Sequence, residues 1–265
     1  SMAEVIIEDL DRMKKEYSRN RRTVVENAKE AVYEEKKIEE LPIILLMDRF
    51  GYAKTIDVST YERNKEAADA ENKYIIHCMN TDRLCIFTDK GQMHMVKVLD
   101  LPYGKFRDKG TPIDNVSNYS SSEENIVFIQ SIGNLLGQKL LFASSDGMLK
   151  QVDGSEFDVS KRTTAATKLN DGAAVLLIQP VTGAEGETII MGTEKGMYLR
   201  FAASDVPEKK KGAVGVRGMK IDPKDKLETV HLLGEAEEKN IEVKGKEIAL
   251  HRLRVANRDG KGVKK

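Results

Sequence analysis

The chain has 265 residues, with 43 Lys and Arg balancing 43 Asp and Glu, so its net charge is zero. This balance excludes a uniformly basic nucleic-acid-binding surface and leaves only local basic patches. The sequence contains no signal peptide and no apolar run long enough to span a bilayer, which predicts a cytoplasmic protein that does not contact membranes.

Residues 1–41 are predicted to form a helical segment that links the rest of the chain to an upstream domain. Apolar residues at helical spacing predict an amphipathic helix over residues 3–17. Thr23, followed three residues later by a glutamate, is typical of a capping box and predicts a second helix over Val24–Leu41. Ser1-Met2 indicates a start inside a longer protein, so the chain is expected to be a fragment.

From residue 42 onwards a β-hairpin signal recurs five times. In each copy an apolar run enters a short polar turn that closes with glycine, and a second apolar run leaves it. Glycine is expected there because the last turn position usually needs a positive φ. The turn glycines are spaced 40, 56, 49 and 49 residues apart and are Gly51, Gly91, Gly147, Gly196 and Gly245.

Each of the first four hairpins is followed by a polar loop and one more apolar strand. These strands are predicted at Tyr74–Met79, Ile126–Ile132, Ala174–Val181 and Leu227–Leu233. Repeats of β units with a period near 50 residues are typical of propeller blades. The sequence therefore predicts an all-β fold, a β-propeller of about five blade repeats over residues 42–265 with the fifth truncated, preceded by the helical segment.

Several stretches resemble the C-terminal domain of the A subunit of bacterial type IIA DNA topoisomerases, the family that comprises gyrase and topoisomerase IV. The stretches are Phe87–Pro102, Phe142–Phe157 and Lys210–Ile221, and Val5–Thr23 resembles the helix and Arg-Arg-Thr that precede this domain. The resemblance implies a β-pinwheel, which is a propeller whose neighbouring blades exchange strands. It also implies that residues 42–265 bind DNA and that residues 1–41 lead in from an upstream core.

The resemblance further implies a noncatalytic part of an ATP-hydrolysing topoisomerase. The catalytic tyrosine would lie upstream of this chain, and ATP and Mg²⁺ would bind elsewhere in the holoenzyme, so no cofactor is expected here. The implied partners are double-stranded DNA, the upstream A-subunit core and the B subunit in an A2B2 assembly, whereas the fragment itself is expected to be monomeric. In agreement, the four histidines have no metal-ligand spacing and no nucleophile constellation is visible.

The loop Tyr61–Lys73 differs from its counterpart in gyrases. In that family the position holds the gyrase box, Gln-Arg-Arg-Gly-Gly-Lys-Gly, which is basic and flexible. The matching stretch Asn64–Ala70 replaces the second arginine with Glu66, the lysine with Asp69 and every glycine with alanine. Alanines favour a helical turn, and the acids should repel phosphate. Loss of the box favours topoisomerase IV or a divergent gyrase-like paralogue.

Basic residues in the equivalent loops of successive repeats are predicted to bind DNA. They should lie along one edge or rim and contact phosphates rather than bases, although ordinary solvated charge remains the alternative for each. The predicted residues are Lys105, Arg107, Lys109, Lys161, Arg162, Lys209, Lys210, Lys211, Arg217, Lys220, Arg258 and Lys261. The glycines around Gly215 are expected to let phosphates approach main-chain amides.

A protein-interaction propeller without DNA binding is the alternative function, and neutral charge would be normal for it. However, the chain lacks the Trp-Asp and Gly-His signatures of WD repeats. Two side-chain expectations complete the prediction. Cys78 and Cys85, expected to be free thiols, could face each other across a hairpin, and His94, between Met93 and Met95, is expected to be exposed.

Overall fold

The computed structural model describes residues 2–19 and 37–265, and the chain divides into two units, Ser1–Ile38 and Glu39–Lys265. The first predicted helix is confirmed as α1, Met2–Tyr17, whose side chains are all exposed. Most of the second predicted helix lies outside the described residues. Its last five residues, 37–41, have no helical structure, so the helix does not extend to the first strand as predicted.

The second unit is built from repeats of three long strands. The long strands are β1 (Pro42–Asp48), β2 (Tyr52–Asp57) and β3 (Asn72–Met79); β4 (Arg83–Thr88), β5 (Gln92–Lys97) and β7 (Ile126–Ser131); β8 (Lys139–Ser144), β9 (Met148–Asp153) and β11 (Val175–Val181); and β12 (Thr188–Thr193), β13 (Met197–Ala202) and β15 (Leu227–Leu233). A fifth hairpin follows, with strands β16 (Asn240–Val243) and β17 (Lys246–Ala249). The repeats match the hairpins and third strands predicted from the sequence.

Shorter elements connect these strands. The short strands are β6 (Thr111–Pro112), β10 (Thr163–Ala165), β14 (Val216–Arg217), β18 (Val255–Ala256) and β19 (Val263–Lys264). The short helices are α2 (Val58–Arg63), α3 (Lys65–Glu71), α4 (Ile113–Val116) and α5 (Ile132–Leu135). Single 3₁₀ turns occupy Val98–Asp100, Gly154–Phe157, Ala203–Asp205 and Leu250–Arg252.

The turn glycines occupy equivalent positions, as predicted. In the first four hairpins the glycine N–H donates to the carbonyl oxygen three residues earlier, at 2.9 to 3.2 Å. All five glycines have φ between +74° and +85°, a region that side chains with a Cβ rarely adopt. The residues that receive these bonds end the first strand of each hairpin and are Asp48, Thr88, Ser144 and Thr193.

Each sheet is completed by a short strand from the next repeat. The strand orders are β3-β1-β2-β6, β10-β5-β4-β7, β11-β8-β9-β14 and β15-β12-β13-β18, with β19 also paired to β13. The incoming strand covers the edge of the hairpin that would otherwise present unpaired backbone groups. This is the strand exchange of a β-pinwheel, so the expectation from the resemblance is confirmed.

The hydrophobic core lies between neighbouring blades rather than in one central mass. Leu45 and Ile76 of the first repeat pack with Ile86 of the second, and similar clusters join each later pair of repeats. At the second interface Phe87 contacts the ring of Phe157 edge to face, with centroids 4.9 Å apart. Apolar side chains on both faces of the hairpins are therefore buried by adjacent blades.

The two ends of the array are shielded differently. The outer face of the first blade, with Ile44 and Leu46, is covered by Tyr61 and Ala68 from α2 and α3. The fifth hairpin packs Ile248 and its neighbours on the fourth blade. Its alternate positions, Asn240, Glu242 and Glu247, are exposed. Repeat arrays need such polar or covered end faces because their terminal units have no further neighbour.

Two side-chain predictions are wrong. His94 is only 4% exposed, because the connector before β7 folds over it and brings Glu124 Oε2 to 2.7 Å from its Nε2. Cys78 and Cys85 do not face each other, since β3 and β4 belong to different sheets and Cys78 lies opposite Ile43. Both cysteines are free thiols, as expected, and burial raises the pKa of each to about 12.

Candidate nucleic-acid interface

The predicted DNA-binding residues all lie on four segments that lead from one repeat to the sheet of the preceding repeat. We call residues 102–112, 158–165, 207–220 and 255–264 the crossover segments; they contain the five short strands. Each crossover segment lies at the sheet edge opposite β3, β7, β11 or β15. The twelve residues therefore lie on segments at the equivalent edge of each of the four sheets.

Backbone hydrogen bonds fix the course of these segments. In the first blade Thr55 N donates to Pro102 O at 2.9 Å, and Gly104 N donates back to Thr55 O at 3.1 Å. The third blade repeats this pair through Gln151, which bonds Pro207 O at 3.1 Å and accepts from Lys209 N at 2.8 Å. Each segment thus runs beside the outer hairpin strand before it turns back to pair with it.

The last two crossover segments are in direct contact. Asp259 N donates to Gly218 O and Lys220 N donates to Gly260 O, each at 2.8 Å. Arg258 Nη1 donates to Arg217 O at 2.6 Å. The structure therefore brings Arg217 and Lys220 next to Arg258 and Lys261. The two pairs lie on neighbouring backbone segments, although about forty residues separate them in the sequence.

Three of the predicted cations belong to residues that bond to Glu156 or Asp259. Lys210 Nζ lies 3.1 Å from Glu156 Oε1, and its hydrogen bond to Glu156 raises the pKa of Lys210. Lys211 donates from its backbone N to Glu156 Oε2 at 2.6 Å and from Nζ to Glu156 O at 3.0 Å. Arg217 Nε lies 2.5 Å from Asp259 Oδ1. These three residues therefore contribute less positive potential at the surface than the sequence predicted.

The remaining cations have no carboxylate within ion-pair distance among residues 2–19 and 37–265. Of these, Lys109 Nζ lies over the Tyr52 ring at 4.8 Å, and Arg162 Nη2 donates to Val116 O at 3.1 Å. They are Lys105, Arg107, Lys109, Lys161, Arg162, Lys209, Lys220, Arg258 and Lys261. This is the set of charges available to phosphates.

The glycines of the third crossover segment have a packing role that the sequence did not reveal. Gly215 has φ +108°, and a Cβ there would overlap the carbonyl of Leu149. A Cβ on Gly218 would lie 2.6 Å from side-chain atoms of Leu149 and Met191. Close approach to β9 therefore explains these two glycines without any phosphate.

The stretch Tyr61–Lys73 contains packed helices instead of a basic loop, so the expected helical turn is confirmed and extended. Asp57 caps α2 by accepting from Thr60 N at 2.7 Å, and hydrogen bonds from Ser59 and Thr60 lower the pKa of Asp57 to about 2. Tyr61, which the sequence placed at the start of a loop, lies within α2, is 6% exposed and donates to Asp69 at 2.7 Å.

Acidic groups dominate the surface of this helical pair. Glu62, Glu66 and Glu71 are exposed. Lys65, one of its two cations, pairs with Asp69 at 2.7 Å. The helical pair therefore has little unpaired positive charge with which to bind phosphate. Its backbone is helical and does not form a loop.

The chain is similar in sequence to known proteins. The family model described as "DNA gyrase C-terminal domain, beta-propeller" matches residues 138–182 and 187–233. The DNA gyrase A protein of Lawsonia intracellularis is 28% identical over 279 aligned residues, covering 98% of this chain and 34% of the relative. Its counterpart in Helicobacter pylori strain J99 is 25% identical over 98% of this chain and 33% of its own length. The chain is therefore similar to the C-terminal domain of gyrase A proteins.

Solved structures agree with this fold assignment. The C-terminal domain of a DNA topoisomerase IV aligns with a TM-score of 0.74 and 22% identity, over 86% of this chain and 73% of that one. The E. coli ParC C-terminal domain aligns with a TM-score of 0.69 and 17% identity, over 85% and 94%. The chain spans about a third of the length of the curated relatives it matches.

Neither a metal site nor a membrane-spanning helix occurs among residues 2–19 and 37–265. No group of three or more His, Cys, Asp or Glu within those ranges could hold a metal ion. No helix in the same ranges is long and apolar enough to cross a membrane.

Sequence reasoning missed one class of side chain at this interface. Lys54, His94 and Lys150 each lie three residues after a turn glycine, and each contacts an incoming crossover segment. Alignment of the repeats on their turn glycines would have found them, because a polar residue inside an otherwise apolar hairpin strand needs a partner.

Proposed function

We propose that this chain is the noncatalytic DNA-binding domain of a type IIA topoisomerase A subunit. It holds duplex DNA along the crossover segments through phosphate contacts. The observation that carries the proposal is the placement of unpaired cations on four equivalent segments at one sheet edge. Phosphate contacts of this kind position a duplex without reading its sequence, which suits a domain that has no base-reading helix among its described residues.

The parent protein is proposed to be an ATP-hydrolysing topoisomerase in the cytoplasm. Residues 42–265 would present DNA, while residues 1–41 lead from the upstream core. The catalytic tyrosine, ATP and Mg²⁺ would belong to other parts of an A2B2 assembly. The names of the relatives, which are DNA gyrase A proteins and a DNA topoisomerase IV, support this proposal.

Within that class, we propose a topoisomerase IV-like or divergent gyrase activity that relaxes or decatenates DNA instead of supercoiling it negatively. Bending a short duplex by 40–90° costs on the order of 1–6 kcal/mol, which contacts around the whole arc must offset. The acidic pair of α2 and α3 removes such contacts at the first blade. Binding should therefore be weak and salt-sensitive, without a stable chiral wrap.

An electrophoretic shift on linear duplex at two salt concentrations tests DNA binding. The DNA-binding proposal predicts a shift at low salt that weakens strongly as salt rises, because phosphate neutralisation releases counterions. A protein-interaction scaffold predicts no shift at either concentration, and that result would refute the proposal.

A ligation-based wrapping assay tests the finer proposal. Circles closed in the presence of stoichiometric protein should show no added positive supercoils. Trapped positive supercoils would refute it and would imply that Arg258–Lys265 had taken over the role of the gyrase box.

A further inference from the structure

Lys150 is a buried lysine whose ammonium group contacts the third crossover segment. Its side chain, on β9, is 1% exposed. Nζ lies 3.3 Å from Lys210 O, 2.9 Å from Lys211 O and 2.5 Å from Ala213 O. An ammonium group has three N–H donors, so each has a carbonyl acceptor on the same short loop.

Because Lys150 is charged, its contacts with the loop do more than pack the side chain. Burial lowers the pKa of Lys150 to about 8, and the negative charge of Glu156 opposes that fall, so the ammonium form predominates at pH 7. No carboxylate among the described residues lies within ion-pair distance of it. Placing an ammonium group in such a site is costly unless its donors are satisfied, and here only the loop carbonyls satisfy them.

The loop is held from a second side by Glu156. This carboxylate accepts from Lys211 N at 2.6 Å and pairs with Lys210 at 3.1 Å. The titratable groups facing Lys150 are therefore Glu156, Lys210 and Lys211. Lys209, by contrast, is exposed and has no side-chain partner in the described part of the chain.

The first blade has the same arrangement. Lys54 lies opposite Leu46 in the hairpin register, as Lys150 lies opposite Phe142. Lys54 Nζ donates to Phe106 O and, at 2.8 Å, to Asp108 O. These carbonyls belong to the loop that carries the unpaired cations of the first crossover segment.

The fourth blade uses a related contact. Arg200 Nη1 donates to His251 O at 2.6 Å and to Leu253 O at 3.2 Å, which lie just before the fourth crossover segment. A cation thus donates to backbone carbonyls of the incoming chain in three of the blades. This recurrence indicates that these cations help to hold the incoming segments in place.

We propose that Lys150, and Lys54 in the first blade, are positioning residues that hold the basic crossover loops in place to receive phosphates. This inference rests on the proposed DNA binding. A loop that is ordered before binding loses less conformational entropy when it contacts a ligand. The buried ammonium group thus increases phosphate binding by Lys209 without touching the DNA.

The test compares Lys150→Met with Lys150→Arg in the full chain. Methionine fills similar space and donates nothing, whereas arginine keeps the charge and its donors. Lys97→Met is the matched control, because Lys97 also lies on the second strand of a hairpin but is exposed. Hydrogen exchange of residues 209–213 without DNA reports loop order, and the salt slope of duplex binding reports phosphate contacts. Global thermal melting shows whether each variant is folded.

Lys150→Met should exchange the loop amides about tenfold faster while the rest of the domain stays protected. Its salt slope should fall by about 0.9 for each lost contact, hence by about 1 if Lys209 loses its contact. Lys150→Arg should restore both readouts, and Lys97→Met should change neither. Unchanged exchange or an unchanged slope in a folded Lys150→Met protein would overturn the proposal.

Two further outcomes are also decisive. If Lys150→Met does not fold, Lys54→Met at the half-exposed site repeats the test on residues 105–109, with the same expected changes. If the unaltered chain binds no duplex at low salt, the proposed function is wrong. Hydrogen exchange of residues 209–213 then decides by itself whether Lys150 holds the loop. Unchanged exchange in Lys150→Met would refute the positioning role of Lys150 as well.

Discussion

Replacement of Tyr61 by alanine should destabilise the domain by exposing the end of the blade array. The Tyr61 ring is 6% exposed and packs with Ile44, Leu46 and Ile56 on the outer face of the first blade. Truncation of a buried aromatic side chain to alanine typically costs about 3–5 kcal/mol, from lost burial and the cavity left behind. Tyr61 also contributes the largest side chain of the helical pair.

The expected change in melting temperature follows from the size of the domain. A loss of 1 kcal/mol lowers the melting temperature by about 2–4 °C for domains of 150–250 residues. Tyr61→Ala should therefore melt roughly 6–20 °C below the unaltered chain in calorimetry. The exposed apolar face should also bind a hydrophobic dye.

Tyr61→Phe is the matched control. Phenylalanine keeps the buried ring and removes only the hydroxyl that donates to Asp69. Asp69 is exposed and keeps its ion pair with Lys65, so this variant should melt within about 2 °C of the unaltered chain. Equal melting of the alanine and phenylalanine variants would show that α2 and α3 do not shield the blade.

Two other stability predictions can be checked by chemical denaturation. Gly147→Ala should cost about 1–2 kcal/mol, because the residue has φ +84° and a Cβ would lie 3.1 Å from an isoleucine side chain. Gly212→Ala, in open space at an ordinary φ, should stay within about 0.5 kcal/mol, and equal costs would contradict the strain argument. Glu124→Ala should cost about 1–3 kcal/mol, since it leaves the buried imidazole of His94 without its 2.7 Å partner. The exposed neighbour Glu123 provides the control, and a similar loss in Glu123→Ala would exclude this cause.

Local sequence patterns were sufficient to predict the blades. The turn glycines and the apolar runs beside them depend on interactions within a few residues, so Gly51, Gly91, Gly147 and Gly196 could be aligned from spacing alone. Strand exchange was different. It pairs residues that are between 55 (Arg200 and Val255) and 73 (Gln92 and Ala165) positions apart, and only the resemblance to a known family suggested it.

Charge and burial were harder to predict because the partners are distant in sequence. His94 pairs with a glutamate 30 residues away. Lys211 contacts Glu156 from 55 residues away, and Arg217 pairs with Asp259 from 42 residues away. No local pattern links these residues, so the sequence overestimated both the exposure of His94 and the number of free cations.

The helical pair of α2 and α3 could have been predicted more fully from the sequence. Its alanines predicted helix, but the run Ile43–Met47 also indicated that both faces of β1 are covered, since it has no polar alternation. Those two observations together require a cover for the first blade. The nearest segment that can supply one is the pair of α2 and α3.

The salt dependence of duplex binding, measured by fluorescence anisotropy, tests the central claim most directly. The charge reversal Lys161→Glu with Arg162→Glu alters two exposed cations of the second crossover segment. The matched control reverses Lys239 and Lys246, which are exposed near and within the fifth hairpin and lie outside these segments. Phosphate binding by the crossover segments predicts that log K falls linearly with log salt, and that only the first variant lowers the slope, by about 0.9 per lost contact and so by about 2. Binding that is independent of salt, or equal slopes for both variants, would contradict it.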